Sequence, residues 1–284
     1  MDIVKELLRS GRILSAERIA PPEGYEDKVL LFSLFYRSDD CKVAGFAAFP
    51  KELAEKGAEE ARASLPSLIF CRGGNRDFGL LSPLPVCFRA SKGYAVFASQ
   101  YRGNLGGTGR EDFGGQDVHD ITILIDIALS TSFVKGRQVY LVGVSRGGMM
   151  AFRACQDYGD KIRACVINSG LTDARAMYYT REQSMKDVFH ELVGGGPEEL
   201  PEEFDKRSAV TFADQIHVPV LIAQGTADWR VVPAQAYSMA EALKAAGKVE
   251  GVDYQLLIFE GSDHGLRGTD YYRHEKAWFE SHPL

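Results

Sequence analysis

Short apolar runs alternate with stretches of helical periodicity along most of the chain. The apolar runs, rich in β-branched and aromatic residues, predict strands at 29–36, 42–49, 67–70, 94–99, 138–142, 164–168, 218–224 and 254–259. Helical patterns lie between or after them, at 115–129, 147–157, 233–246 and 269–279. Because strands and helices alternate in this way, we predict an α/β fold with a mostly parallel, doubly wound sheet.

Two segments depart from this alternation. The polar turn at 37–40 joins the first two predicted strands, so this N-terminal pair is predicted to be antiparallel. Residues 171–215 separate two strands by far more than the roughly 2–6 residues of an ordinary connection, and their apolar residues predict a helical insertion. The sequence leaves open whether this insertion is a lid over the functional edge of the sheet or an element packed onto the body.

Composition sets the class of protein. A chain of 284 residues that is 45% hydrophobic and 25% charged is long enough for one large core, so we predict a single domain over 1–284 with an N-terminal helix or extension at 1–25. The formal net charge is −6 and the basic residues are scattered, which argues against nucleic acid as a partner. No apolar run approaches the roughly 18 residues of a membrane span, and the first residues lack the apolar core of a signal peptide.

Cysteine and glycine patterns narrow the chemistry further. The five cysteines are an odd number without a C-x-x-C spacing, which argues against disulfides and a zinc site and favours a cytoplasmic location. The glycine-rich stretch at 103–115 matches no phosphate-binding motif, and we interpret it as a surface loop bordering the functional site. We therefore expect no cofactor and no metal.

The most informative motif is G-V-S-R-G-G at 143–148, where a predicted strand meets a predicted helix. This context is typical of a nucleophile elbow, a tight turn that exposes a serine hydroxyl above the sheet. Ser145 is then the nucleophile, and Gly143 and Gly147 stand where side chains would collide. The simpler interpretation is a strand-to-helix turn with a serine cap.

A serine nucleophile needs a base, and the base needs an acid that orients it. Of six histidines, only His264 lies in a loop at the carboxyl end of a strand. Asp228 directly follows another strand, whereas the rival Asp263 adjoins the histidine and is poorly placed to contact its ring. The chain order serine, aspartate, histidine is that of α/β-hydrolases, and all three follow strands and so meet at one edge of the sheet.

Acyl transfer also needs hydrogen-bond donors for the oxyanion of the tetrahedral intermediate. The backbone N–H of Arg146, directly after the serine, is one candidate. The glycine pair Gly73 and Gly74, in a loop after an early strand, exposes amides without side chains in the way.

Six motifs together resemble the catalytic domain of prolyl-oligopeptidase-type serine peptidases. They are R-G-G at 72–74, Y-R-G at 101–103, G-G-Q-D-V-H-D at 114–120, G-V-S-R-G-G at 143–148, G-T-A-D at 225–228 and D-H-G at 263–265. The resemblance implies Ser145, Asp228 and His264 as the catalytic triad. Arg72 stands where many members have tyrosine or histidine, and we expect Arg72 and Tyr101 to contact the substrate. Members usually carry an N-terminal β-propeller, for which this chain has no room.

The sequence thus predicts a serine hydrolase that cleaves peptide, amide or ester bonds through an acyl-serine intermediate. Its substrate would be a small molecule or a short peptide. Two alternatives remain open: a small-molecule carboxylesterase or thioesterase, and a binding module that uses the same fold without catalysis. The sequence does not decide between a monomer and a homo-oligomer.

Overall fold

One sheet connects elements from the whole chain, and the computed structural model describes all residues from Met1 to Leu284. The strands are β1 (Ile13–Ile19), β2 (Val29–Ser38), β3 (Cys41–Pro50), β4 (Ser67–Cys71), β5 (Ala95–Ser99), β6 (Val139–Val144), β7 (Ile162–Asn168), β8 (Val220–Gly225) and β9 (Tyr254–Phe259). Their order in the nine-stranded sheet is β1-β2-β3-β5-β4-β6-β7-β8-β9.

Helices cover both faces of this sheet. They are α1 (Ile3–Leu8), α2 (Ala58–Ala61), α3 (Leu84–Ala90), α4 (His119–Ser130), α5 (Arg146–Tyr158), α6 (Ala174–Thr180), α7 (Gln183–Leu192), α8 (Pro201–Lys206), α9 (Ala234–Ala245) and α10 (Tyr271–Ser281). None of them is both long enough and apolar enough to cross a membrane.

The pairing of the strands confirms the predicted α/β-hydrolase fold. From β5 across to β9 all neighbours are parallel, and β2 pairs with β3 in antiparallel register from Val29↔Pro50 to Ser38↔Cys41. The segment 1–25, predicted as a helix or extension, contains the helix α1 and also the strand β1, which the sequence did not predict and which adds an antiparallel edge strand next to β2. Only Ile13 of β1 is buried, so the strand lacks the alternation by which a half-buried strand is recognised.

The apolar core lies on both sides of the sheet. In β4, Leu68 and Phe70 belong to a cluster of 21 buried residues under α3 and α10, whereas Ile69 and Cys71 belong to a cluster of 59 on the opposite face. Successive side chains of a strand point to opposite faces, so a strand covered on both sides must be apolar throughout. This explains the continuous apolar runs of the central strands.

The insertion at 171–215 folds as the helices α6, α7 and α8, which confirms that it is helical. Its buried aromatic residues contact the body: the ring centroids of Phe189 and Phe113 lie 5.1 Å apart, and Phe204 stacks beside Phe189 at 5.1 Å. The insertion is therefore packed onto the molecule through a hydrophobic seam.

Three buried thiols lie in the strands and helix beneath the turn between β6 and α5. Cys71 ends β4, Cys165 lies in β7 and Cys155 in α5, and all three are buried. Burial raises the pKa of the Cys71 and Cys165 thiols well above the ordinary value, and the neighbouring thiol of Cys155 raises the pKa of Cys165 further.

Candidate active site

Ser145 occupies the turn between β6 and α5 in a strained backbone conformation. Its φ is +58° and its ψ is −125°, in a region that residues other than glycine rarely adopt. A Cβ on Gly143 would collide with the carbonyl oxygen of Gly147, and one on Gly147 would collide with the carbonyl oxygen of Cys71. The two glycines thus allow the sharp turn that lifts the serine above the sheet, as the elbow motif predicts.

His264 and Asp228 meet at the carboxyl edge of the sheet. The Nδ1 atom of His264 lies 2.8 Å from Oδ2 of Asp228. The other carboxylate oxygen, Oδ1, accepts the backbone amides of Arg230 at 2.9 Å and Val231 at 3.0 Å. Burial alone would raise the pKa of Asp228, but the hydrogen bonds from His264 and the Val231 amide lower it, so the carboxylate is ionised at neutral pH.

Ser145 and His264 line one cavity of about 600 Å³. The hydroxyl of Ser145 makes no hydrogen bond within the protein, and the ring of His264 is hydrogen-bonded only to Asp228. Such bonds between a nucleophile and its base are commonly long in unliganded sites and tighten when substrate binds. The structure therefore brings the three predicted residues together, with the histidine–aspartate pair already formed.

Backbone amides beside the serine are free to bind an anion. The N–H groups of Gly73, Gly74 and Arg146 donate to no acceptor in the protein. Gly73 packs so closely on the elbow that a Cβ there would lie 2.8 Å from Cβ of Ser145 and 3.5 Å from its Oγ. These are the amides that the sequence predicted for the oxyanion hole.

The deeper wall of the cavity is apolar, and its side chains are Phe113, Leu171, Met177, Met185 and Val188. Met177 belongs to α6 and the last two to α7, so the insertion builds much of this wall. An apolar substrate group would bury its surface against these side chains.

Charged side chains line the mouth of the cavity. Arg181 donates to both carboxylate oxygens of Glu182, at 2.7 and 2.8 Å, and to the carbonyl of Arg230 at 2.7 Å. The hydrogen bonds from Arg181 lower the pKa of Glu182 to about 2. The guanidinium of Arg230 donates to no protein acceptor and lies over the exposed ring of Trp229, 5.3 Å from its centroid.

Comparison with known proteins places the chain in a family. The sequence pattern of the prolyl oligopeptidase family matches residues 82–283. The chain belongs to this family. It is a serine hydrolase with the α/β-hydrolase fold, as its motifs indicated.

Relatives within the family differ in length. The uncharacterized peptidase YtmA of Bacillus subtilis is 31% identical over 220 residues, which are 78% of this chain and 82% of that protein. An acylamino-acid-releasing enzyme of Mus musculus is 24% identical over 241 residues, 78% of this chain but only 32% of that protein. An acylaminoacyl peptidase of Pyrococcus horikoshii superposes with a TM-score of 0.70 at 22% identity, over 88% of this chain and 40% of that chain. The chain thus spans about a third of the mouse relative's length.

The expectation that Arg72 contacts the substrate is wrong. Its guanidinium is buried below the glycine pair, where it donates to the carbonyl of Gln100 at 2.8 and 3.1 Å and to the carbonyl of Gly73 at 2.9 Å. The side chain also pairs with Glu111 at 3.0 Å and does not line the cavity. Arg72 therefore supports the loop of this family member from beneath and does not reach an oxyanion.

Tyr101 is likewise buried and does not line the cavity. Its hydroxyl donates to the carbonyl of Arg72 at 2.9 Å, and its ring lies under the guanidinium groups of Arg72 and Arg146, 5.0 and 4.7 Å from the centroid. The expected substrate contact is wrong for this residue too. Tyr101 does lie next to the site, as its motif indicated, but its side chain points into the protein.

The glycine-rich stretch at 103–115 is mostly exposed over 103–110 and borders the site, as expected, but its end is buried. Glu111 and Phe113 are buried, and Phe113 reaches the cavity wall. Glu111 pairs with Arg72 and Arg146, and Asp117, just after the stretch, lies 2.5 Å from Arg146. Asp117 lies in the G-G-Q-D-V-H-D motif at 114–120, but no local pattern shows that it or Glu111 pairs with an arginine, because the partner is distant in the sequence. The available signal was an arginine in each of three motifs, at Arg72, Arg102 and Arg146, since an arginine that is buried needs an acidic partner.

Proposed function

We propose that this chain hydrolyses peptide bonds in short peptides whose amino terminus is blocked, through an acyl-Ser145 intermediate. The observation that carries the proposal is the geometry of one cavity. It holds a half-buried serine on a strained turn, a histidine already paired with an ionised aspartate, and unpaired amides next to the serine.

The chemistry follows from these positions. His264 takes the proton of Ser145 as the hydroxyl oxygen attacks the substrate carbonyl carbon. The resulting oxyanion accepts hydrogen bonds from the amides of Arg146 and Gly73. As the tetrahedral intermediate collapses, the imidazolium gives its proton to the leaving amine, and Asp228 stabilises the imidazolium throughout. Water activated by His264 then hydrolyses the acyl-enzyme.

The charges at the cavity mouth favour a blocked amino terminus over a free one. A free ammonium group needs an unpaired carboxylate, and the one carboxylate that lines the cavity, Glu182, is already bound by Arg181. The unpaired guanidinium of Arg230 instead offers donors to a carbonyl oxygen. The relatives whose names describe release of acylamino acids fit this preference.

Labelling with a fluorophosphonate tests the nucleophile. We expect the label on the peptide that contains Ser145, and no label on the Ser145→Ala variant. Ser262, on the same loop as His264, gives the matched control, since Ser262→Ala should label like the wild type. Label on another residue, or none in the folded protein, would rule out the proposed mechanism.

A substrate panel tests the bond and the blocked terminus. We expect acetyl-alanine p-nitroanilide to exceed alanine p-nitroanilide in kcat/KM by at least about tenfold, because the free ammonium would find no partner. Turnover of p-nitrophenyl esters without any anilide would replace the peptidase proposal with the carboxylesterase alternative. Faster turnover of the free amine would contradict the preference for a blocked terminus.

A further inference from the structure

A single buried carboxylate joins the two segments that carry the candidate oxyanion amides. Oε1 of Glu111 accepts from Nη2 of Arg72 at 3.0 Å, from the backbone amide of Arg76 at 3.0 Å and from Nδ2 of Asn104 at 2.5 Å. Its other oxygen, Oε2, accepts from Nη1 of Arg146. The residue is buried and does not line the cavity, so it does not touch substrate.

The two arginines that Glu111 connects hold the glycine pair from both sides. Arg72 donates to the carbonyl of Gly73 at 2.9 Å, and Arg146 donates to the carbonyl of Gly74 at 3.2 Å. Arg146 also supplies the third candidate amide from its own backbone. Glu111 therefore fixes the loop at 73–74 relative to the start of α5.

We propose that Glu111 is a positioning residue for the acyl-transfer reaction, holding the amides of Gly73 and Arg146 at the separation that one oxyanion requires. The inference rests on the proposed function of the Ser145 site. Donors in such sites must be held to within about 0.5 Å of the productive geometry, and here a chain of charge-assisted hydrogen bonds sets that distance.

The buried cluster around Glu111 contains equal numbers of positive and negative charges. Neutralising the Glu111 carboxylate would therefore leave a buried positive charge without its partner. Arg72 and Arg146 are neutralised by Glu111 and Asp117, and all four side chains are buried. Burial alone would raise the pKa of Glu111, but the positive charge of Arg146 and the hydrogen bonds that the Glu111 carboxylate accepts lower this pKa. A glutamine at 111 would place an amide N–H₂ against one of the two guanidinium groups, and donor would then face donor.

The test compares kinetics and inhibitor binding of Glu111→Gln with the wild type. We expect kcat to fall roughly 10- to 100-fold, since loss of one oxyanion donor costs about 10²–10³ and here the donors are displaced but still present. We expect KM to change less than about twofold, because the apolar wall that binds the substrate is untouched. Affinity for a peptidyl boronate should fall by the same factor as kcat/KM, since its adduct resembles the tetrahedral intermediate.

A buried ion pair far from the site provides the matched control. Glu275 binds Arg89 through both oxygens, at 2.9 and 2.7 Å, between α10 and α3. Glu275→Gln should lower thermal stability as much as Glu111→Gln does, with kcat unchanged. If Glu111→Gln does not fold, Glu111→Asp serves instead, because it keeps the charge but is too short to reach both arginines.

The outcomes separate the two proposals. A wild-type protein that neither labels at Ser145 nor turns over substrate overturns the proposed function, and the role of Glu111 with it. A wild type that labels and turns over, beside a Glu111 variant that loses stability but keeps kcat and boronate affinity, overturns the positioning role alone. A rise in KM with kcat unchanged also overturns it, since that places Glu111 in substrate binding.

Discussion

Gly73 has no room for a side chain, because its α-carbon lies against the nucleophile. An alanine at this position would place its methyl group 2.8 Å from Cβ of Ser145 and 3.1 Å from the carbonyl of Val144. Either the loop or the serine must move, and both carry groups that the reaction uses. We therefore expect a side chain at this position to disturb the reaction.

We expect Gly73→Ala to lower kcat by roughly 100-fold, the loss typical when an oxyanion donor is misplaced. Steady-state kinetics with a blocked anilide substrate measures the effect. Gly57 is the matched control, because its φ is −64° and nothing lies within 4 Å of the added methyl. Equal activity of the two variants would show that the amide of Gly73 takes no part.

The histidine–aspartate pair makes stability depend on pH. Asp228 has a lowered pKa in the folded protein, whereas an unfolded aspartate has a pKa of about 3.9. A group whose folded pKa is depressed stabilises the fold above its unfolded pKa, and the stabilisation is lost as pH falls through the folded pKa. The free energy that Asp228 contributes is therefore complete above about pH 5.

Urea unfolding of the wild type and Asp228→Asn between pH 3 and 7 tests this linkage. We expect the wild type to exceed the variant in free energy of unfolding by a constant amount near neutrality, and the difference to shrink below about pH 4. A difference that grows on acidification would mean that the carboxyl is stabilised in its protonated form.

The sequence predicted which residues lie near the active site better than it predicted whether their side chains point into the cavity. Ser145, Asp228 and His264 each follow a strand, and the topology of a parallel sheet brings such positions to one edge. Arg72 and Tyr101 are also near the site, but whether a side chain points up to the cavity or down into the protein depends on distant partners.

At the scale of elements, the insertion is joined to the body on both sides of the cavity mouth. Arg181, just before α7, donates to the carbonyl of Arg230, and Arg76, beside the glycine pair, pairs with Glu191 of α7 at 2.5 Å. The hydrophobic seam of Phe113, Phe189 and Phe204 also joins the insertion to the body. The insertion thus helps to hold the cavity wall in place.

Truncating the seam should weaken both the fold and substrate binding. We expect Phe189→Ala to cost about 3–5 kcal/mol of unfolding free energy, as for other buried phenylalanines, and to raise KM because Phe113 loses its support. Urea unfolding and steady-state kinetics measure the two effects. Tyr179→Ala, which removes an exposed ring from the same insertion, should change both much less.

Long elements could be predicted from the sequence, whereas short or exposed ones could not. The strand at 254–259 was predicted with its observed bounds, since its neighbouring turns mark both ends. The helix α3 has only seven residues and carries prolines at its start, too few for a helical period to emerge. The edge strand β1 is mostly exposed, so its apolar pattern is absent.

At the scale of the whole molecule, the sheet ties both ends of the chain into one structure. The first strand is at one edge and the last at the other, and helices from both ends cover the faces. We therefore expect a single cooperative transition on unfolding. Circular dichroism and the fluorescence of the two tryptophans, one buried in α10 and one exposed at the cavity, should give coincident urea curves. Separate midpoints would indicate two independently folding units.

The thiols of Cys71, Cys155 and Cys165 lie beneath the elbow with no exposed surface to speak of, whereas Cys41 is half-buried. An alkylating reagent in solution can reach these three buried sulfur atoms only when the structure beneath Ser145 opens transiently. Mass spectrometry can compare the rate at which these three cysteines are modified with the rate for Cys41. The rate of the three buried cysteines then measures how often the structure beneath Ser145 opens to solvent. No cysteine has to be introduced for this measurement, because the natural sequence already places three beneath the nucleophile.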